Sequence, residues 1–298
     1  MKSIKLYIKT FRPRTLPLSV SGIVLGSLLA ASEGHFNVRI FILAILTTLS
    51  LQILSNVSNE LGDAQKGTDT ADRKGPAYVL LSGALTQKDF YRLIAIFSLL
   101  SVVFGSLLVY VSLDYFFSKE GLIMLAFGGL AILASITYTL GKNPYGYKGW
   151  GDLFVFLFFG LLSTLGSYFL QCGQLPLLLL LPASACGFLI TGVLNLNNIR
   201  DMETDKINRI TLPLVLGKPK AKIYHHLLVY GAFVLILIYN LLKGTAWPQY
   251  LFLLLLPLAA FHLNRVRALN DEALDRQLPV LVLLTILFSL IVGFTSFL

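Results

Sequence analysis

The sequence predicts an all-α fold, a polytopic membrane bundle of nine transmembrane helices, on three observations. The 298 residues are 56% hydrophobic and only 13% charged, with a mean hydropathy of +0.76, more apolar matter than a soluble domain of this length needs to fill one core. Nine apolar runs reach roughly the 18 or more residues with which a helix crosses about 30 Å of hydrocarbon. With the N-terminus on the cytoplasmic side, all 24 Lys and Arg residues except Arg39, Lys119 and Lys243 fall in segments on that side. That asymmetry follows the positive-inside rule and predicts an N-in, C-out topology, which a missed or extra span would scramble.

Residues 2–11 put Lys2, Lys5 and Lys9 on one helical face and Ile4, Ile8 and Phe11 on another, the pattern of a short helix lying in the membrane interface. No small-residue cleavage site follows a short apolar region, so a cleaved signal peptide is not expected. The first span covers about 15–32, and the second, about 38–59, runs into a polar cluster. The third and fourth cover about 90–112 and 121–140. The fifth, about 152–171, is Phe-rich and opens on Asp152, a carboxylate favoured at a helix N-terminus. The sixth, about 176–196, ends in a second polar cluster, and spans at about 222–242, 246–263 and 279–297 complete the set. Pro17, Pro182 and Pro257 lie inside spans, where neighbouring helices can satisfy the carbonyls they free. The longest stretches without a span are 60–89 and 197–221, so no soluble domain is expected. The two clusters end helices two and six, which predicts two weakly repeated four-helix units, about 15–140 and 152–263, with 279–297 appended.

The net charge of +9 is spread over separate short loops. It therefore reads as membrane topology facing anionic lipid, and nucleic acid is excluded as a partner. Cys172 and Cys186 lie in or beside spans and read as small buried hydrophobes, with no disulfide framework and no Cys/His metal set.

The chemistry is concentrated in the two clusters. The first is Asn56-x-x-Asn59-Glu60-x-x-Asp63, continuing to Asp69, Asp72 and Arg73; the second is Asn195-x-Asn197-Asn198-x-Arg200-Asp201-x-Glu203-x-Asp205. Gln52, Asn56, Asn59 and Asp63 recur at spacings of four, three and four, and Asn197, Asp201 and Asp205 at four and four, so each set forms one helical stripe. Unpaired amides and carboxylates cost several kcal/mol in hydrocarbon, so both stripes should face a shared polar cavity inside the bundle. Carboxylates facing one another need a cation, and hard oxygen donors without His or Cys select Mg²⁺, which keeps waters and binds one or two carboxylates plus substrate phosphates.

Such a mouth with an apolar bundle behind it suits an amphiphile with a phosphorylated head and a long hydrocarbon tail, of which an isoprenyl diphosphate is an example. The metal, assisted by Arg73, Lys74, Arg200 and Arg209, would neutralise the leaving diphosphate. Faces drawn from the 21 Phe and 13 Tyr would stabilise the allylic cation left on the tail. A secondary transporter is the alternative of another class, but its acidic residues belong near the bilayer midplane on broken helices, whereas here the carboxylates lie at helix ends. No tight Asp-x-x-Asp-Gly run of a phosphatidyl-type alcohol transferase is present.

These clusters resemble the two signature motifs of the UbiA superfamily of intramembrane aromatic prenyltransferases, over nearly the whole chain. The segments Asn59-Glu60-x-x-Asp63-x-x-Lys66-Gly67-Thr68-Asp69-x-x-Asp72-Arg73-x-Gly75-Pro76, Gly146-Tyr147-Lys148-Gly149-x-Gly151-Asp152 and Asn197-Asn198-x-Arg200-Asp201-x-x-x-Asp205 are similar to its naphthoate branch. The resemblance implies a nine-helix bundle in the cell inner membrane with active-site loops on the cytoplasmic side, Mg²⁺ dependence, and transfer of a polyprenyl group to an aromatic carbon. In the naphthoate branch the acceptor is 1,4-dihydroxy-2-naphthoate, and the prenyl chain replaces its carboxylate with loss of CO₂ and diphosphate on the way to menaquinone. A different acceptor, such as 4-hydroxybenzoate, homogentisate, haem or another tetrapyrrole, would use the same diphosphate machinery.

Carried over by position, Asp63, Asp201 and Asp205 would hold Mg²⁺ and diphosphate, with Asn59 and one or both of Asp69 and Asp72 completing the site and Asp69 the preferred further metal ligand. Lys66 and Arg200 would touch phosphate or the acceptor carboxylate, with Arg73, Asn198 and Arg209 also in the substrate site. Tyr138 is a candidate for facing the cation or a member of an interfacial tyrosine belt. Lys142 and Lys148 either meet the acceptor carboxylate or are ordinary loop lysines. His225, His226 and His262 have no partners evident in the sequence and receive no role. Two departures from the family pattern stand out: Glu60 replaces the more usual Asp, and Asn208-Arg209 replaces a Gly-Lys pair with a spacing to Thr211 one residue shorter.

Overall fold

The computed structural model describes residues 4–67, 79–206 and 209–298. A short amphipathic helix, α1 (Ile4–Thr10), leads into α2 (Leu16–Ser32), α3 (Val38–Lys66), α4 (Gln87–Leu113) and α5 (Lys119–Thr137). After a single turn of 3₁₀ helix at Tyr145–Tyr147 come α6 (Gly151–Cys172) and α7 (Leu177–Arg200). Two short helices, α8 (Met202–Asp205) and α9 (Leu212–Leu216), precede α10 (Lys218–Lys243), α11 (Trp247–Ala268) and α12 (Asp271–Thr295). Eight of these are long and apolar enough to cross a membrane, and the shorter apolar α2 makes a ninth at the position predicted for the first span.

Helix limits follow local chemistry. α3 runs seven residues past the predicted end of the second span and stops where Gly67 takes a left-handed φ of 66°, a conformation that costs glycine little. Thr86 and Asp89 form a reciprocal capping box at the start of α4, which satisfies otherwise orphaned backbone donors. α6 is continuous but its middle, Phe156–Leu162, winds as a π-helix, a local widening common at functional sites.

The largest core joins α2, α6, α7, α10, α11 and α12, with Phe233, Phe252 and Phe288 interlocked at centroid distances of 5.2 to 6.0 Å. A second core ties Val57 and Leu61 of α3 to Phe90 and Leu93 of α4. The outward faces of α4, α5 and α10 present exposed Leu99, Leu133 and Leu241, as lipid-facing surfaces do. On α1, Ile4 and Ile8 are exposed while Leu6, Tyr7 and Phe11 pack inward, Phe11 edge-on to Phe97 at 5.2 Å. The apolar side of α1 is thus divided between the interface and the bundle rather than lying on one face. Cys172 and Cys186 are free thiols.

Two of the three histidines left without a role meet across helices, whereas His226 Nδ1 lies 2.7 Å from the Lys222 carbonyl of its own helix. His225 Nε2 lies 2.9 Å from His262 Nε2, and His262 Nδ1 lies 3.2 Å from Gln277 Oε1, with both rings fully buried. This polar seam pins α10, α11 and the start of α12 together, as expected where polar side chains bond across helices in lipid.

Candidate active site

Both polar clusters come to the same end of the bundle through close packing of α3 against the turn after α5. A Cβ on Gly62 would sit 2.7 Å from Thr139, closer than packed atoms approach, so glycine is required for α3 to come this near. Thr139 donates to the Ser58 carbonyl at 3.0 Å and to Asn59 Oδ1 at 3.2 Å. Gly146, whose Cβ would meet Tyr138 O at 2.6 Å, donates its N–H to that oxygen at 2.9 Å. The turn thereby delivers Tyr147, which donates its hydroxyl to Asp63 Oδ1 at 2.6 Å.

The same turn holds the second cluster. Ile210 N–H donates to Tyr147 O at 3.0 Å, and Lys148 pairs with Ile210 as an isolated parallel bridge. Arg209 lies over the Tyr147 ring at 4.9 Å, with Nη2 3.7 Å from Asp63 Oδ1 and Nη1 3.8 Å from Asp205 Oδ1. One guanidinium therefore spans a carboxylate from each cluster, in side chains that are all at most 8% exposed.

Asp201 is engaged differently from the predicted shared set. Arg200 forks onto both its oxygens, Nε to Oδ1 and Nη2 to Oδ2 at 2.8 Å each, and reaches Asp275 with Nη1 at 2.5 Å. Among the described residues no group of three or more His, Cys, Asp or Glu is close enough to hold a metal unaided. The structure thus joins Asp63 to Asp205 through Arg209 but does not gather Asp63, Asp201 and Asp205 into one ligand set.

Other predicted residues divide cleanly. Asn59 and Tyr138 line the large cavity described below, with Asn197 beside them. Asn198 is buried within α7, whereas Lys66 and Lys148 are exposed. Asn56 serves as a tie: Nδ2 donates to Phe11 O at 2.9 Å and to Thr15 Oγ1 at 3.2 Å, and Oδ1 accepts from Gln52 at 3.1 Å. Glu60, the departure from the family pattern, accepts the N–H groups of Val79 and Leu80 at 2.6 and 3.0 Å. Its longer reach anchors the chain just after residues 68–78. Asp69, Asp72 and Arg73, with Lys74, lie outside the described residues.

Behind the clusters is a cavity of about 480 Å³ bounded by α2 to α7. Arg12, Asn59, Asn197 and Tyr138 line one end and Ala44, Leu108 and Leu170 the other. From Asn59 to Ala44 along α3 is about 22 Å at 1.5 Å per residue. One wall is an aromatic ladder: Tyr138 meets Tyr145 edge-on at 5.2 Å, Tyr145 stacks on Phe154 at 4.1 Å, and Phe154 on Phe158 at 6.0 Å. Burial pushes the Tyr138 and Tyr145 hydroxyls above their ordinary value, so both remain neutral donors at physiological pH.

Sequence reasoning missed Arg12, Tyr145, Tyr147 and Asp275. Tyr147 stands inside a motif segment, and only its hydrogen bond to a residue 84 positions away reveals what it does. Tyr147→Phe should leave the fold intact and lower turnover by a few fold, the loss of one bond to a charged acceptor; unchanged turnover in a purified-protein assay would confine Tyr147 to packing.

A membrane-embedded helical bundle with a polar, arginine-bridged mouth and a long apolar cavity is built to hold an amphiphile by both ends. The chain belongs to the UbiA prenyltransferase family, whose model matches residues 19–294. Among its relatives, 1,4-dihydroxy-2-naphthoate octaprenyltransferase of Escherichia coli (strain K12) is 40% identical over 95% of this chain and 94% of its own. The protein of that name from Mycobacterium tuberculosis is 32% identical over 83% of this chain and 81% of its own. A UbiA homologue from Archaeoglobus fulgidus bound to DMAPP and Mg²⁺ superposes with a TM-score of 0.65 at 14% identity, covering 98% of both chains, and so shares the fold.

Proposed function

We propose that this protein transfers a polyprenyl group from a polyprenyl diphosphate to 1,4-dihydroxy-2-naphthoate with loss of CO₂, a step of menaquinone biosynthesis. The observation that carries the reading is the convergence of both polar clusters, through Arg209 and Tyr147, on the mouth of one apolar cavity. Relatives that share most of this chain carry the naphthoate activity in their names. The polar mouth would face the cytoplasm of a bacterial inner membrane, on the side to which the loop lysines and arginines are biased.

The residues at the mouth suit Mg²⁺. Their donors are oxygens, and a cation, the Arg209 guanidinium, already stands between Asp63 and Asp205. Two carboxylates completed by substrate phosphates are a usual Mg²⁺ environment. Asp63 and Asp205, with Asn59, Asp69 and Asp201 as further oxygen donors, would hold the metal, which when bound neutralises charge on the departing diphosphate.

The chain's own residues do the rest. Arg209, on its flexible stem, follows the negative charge from the carboxylates to the diphosphate, joined by Lys66 and Arg73. The C1–O bond of the prenyl group breaks with its electron pair leaving on diphosphate. The Tyr138, Tyr145 and Phe154 faces then flank the allylic cation, and the cavity walls exclude water. Arg12, which lines the mouth, would orient the acceptor carboxylate, with Lys148 on the exposed turn as a second cation for it. The ring carbon bearing that carboxylate supplies the electrons of the new C–C bond. The carboxylate then leaves as CO₂, returning its bonding pair to the ring and giving the hydroquinone form of demethylmenaquinone.

The test is an assay in membranes containing the protein, with a polyprenyl diphosphate and either 1,4-dihydroxy-2-naphthoate or 4-hydroxybenzoate, with and without Mg²⁺. Mg²⁺-dependent product from naphthoate with equimolar CO₂ is the expected result. Product from hydroxybenzoate alone would overturn the acceptor, and product of equal yield in chelator would overturn the metal.

A further inference from the structure

We infer that Asp275, which lies in neither polar cluster, is a positioning residue for the second one, setting the geometry and charge of Asp201 through Arg200. The inference rests on the function proposed above and goes beyond it by assigning the opening turns of α12 to the active site.

The geometry is a three-residue relay. Arg200 is buried, its side chain 7% exposed, and spends three of its nitrogens on two carboxylates: Nε and Nη2 on Asp201, and Nη1 on Asp275. A guanidinium paired with Asp201 alone would form a neutral couple and leave that carboxylate little attraction for another cation. With Asp275 the guanidinium is shared between two carboxylates and is held from the side away from Asp201, so that Asp201 stays oriented. The contact between the two clusters repeats the arrangement, since Arg209 between Asp63 and Asp205 is also one guanidinium shared by two carboxylates.

Asp275 is itself firmly placed. It stands in the 3₁₀ turns Asp271–Gln277, which are tethered on both sides. Lys218 bonds Asp271 at 2.7 Å, and Lys222 donates to Leu269 O at 2.7 Å and to Asn270 Oδ1 at 3.0 Å. Gln277 closes the other side through the buried His262–His225 pair. These bonds run to α10 and α11, so the position of Asp275 is set by the late helices and is transmitted to the end of α7 by one ion pair. The Asp275 side chain is 46% exposed, so its contribution is discounted for solvent screening.

The experiment uses the full chain in detergent, with Asp275→Asn and Asp275→Glu. Binding of inorganic diphosphate in the presence of Mg²⁺ is followed by titration calorimetry, alongside steady-state kinetics and thermal unfolding. Asp275→Asn should raise the Kd about fivefold, the scale of one partly solvated ion pair, and raise the donor KM with the acceptor KM unchanged. Asp275→Glu should recover most of the affinity. A Kd within twofold of the unaltered protein, or a drop in Tm with no change in Kd, would overturn the inference and leave Asp275 a structural ion pair. Absence of Mg²⁺-dependent diphosphate binding by the unaltered protein would instead overturn the functional reading on which it stands.

Discussion

Asp63→Asn should abolish nearly all turnover while the protein remains folded in the membrane. Asp63 is 3% exposed, accepts the Tyr147 hydroxyl at 2.6 Å and faces Arg209. Asparagine keeps the shape and the carbonyl acceptor for Tyr147, so α3 and the Gly146–Gly149 turn stay together. What is lost is the charge. An amide oxygen is a weaker ligand for a hard cation, and the loss acts when negative charge builds on the leaving diphosphate, so the effect falls on kcat. A reduction on the order of 10³-fold is expected, comparable to removing a principal electrostatic stabiliser. Tm should change little, because Arg209 keeps Asp205 as a partner and Tyr147 keeps a carbonyl acceptor. Measuring kcat by prenylated product and Tm on the same preparation separates the outcomes. Near-normal turnover would remove Asp63 from the metal site, and a collapsed Tm would assign it to the fold.

The spans were legible because their signal is a length of apolar sequence set by the bilayer. All nine predicted spans correspond to helices, with α2 and its Pro17 where the first was placed. The limits were less legible where chemistry and helix overlap. The predicted second span ends at about 59 although Asp63 falls on its helical stripe, and α3 in fact continues to Lys66, because that polar stripe faces protein and not lipid. The i, i+4 pattern correctly put Asn59 and Asn197 toward one cavity. It could not foresee that Asp201 would turn to its neighbour Arg200, nor that Arg209 would join Asp63 to Asp205 across 146 positions of chain. Pairings such as Tyr147 with Asp63, His225 with His262, and Arg200 with Asp275 are non-local and leave no periodic trace in one sequence. Glu60 shows the converse: its departure from the family pattern was visible, but its use as an anchor for Val79 and Leu80 required the fold.

Arg209→Ala should make the protein depend on Mg²⁺ for stability as well as for turnover. In the structure the guanidinium stands between two carboxylates from opposite halves of the chain, at 3.7 and 3.8 Å, and its planar face covers the Tyr147 ring. Truncation leaves two buried carboxylates facing each other across the space it filled. Breaking a buried pair by removing one partner costs about 3–5 kcal/mol when contacts are tight; these contacts are longer, so about 1–2 kcal/mol is the expected loss in chelator. A divalent cation binding in the vacated position stabilises only the folded state, by an amount that grows with its concentration over Kd. The Mg²⁺-induced rise in Tm should therefore be larger for Arg209→Ala than for the unaltered protein. Turnover should still fall about 10²-fold at saturating Mg²⁺, because the diphosphate has lost a cationic contact that strengthens as the C1–O bond breaks. Thermal unfolding across a Mg²⁺ series, with kinetics at its upper end, provides both readings. An equal Mg²⁺ response in the two proteins would mean that Arg209 does not occupy the cation's position. A full recovery of turnover would mean that the metal alone carries the charge on the leaving group, with Arg209 serving only to hold the two clusters together before substrate binds.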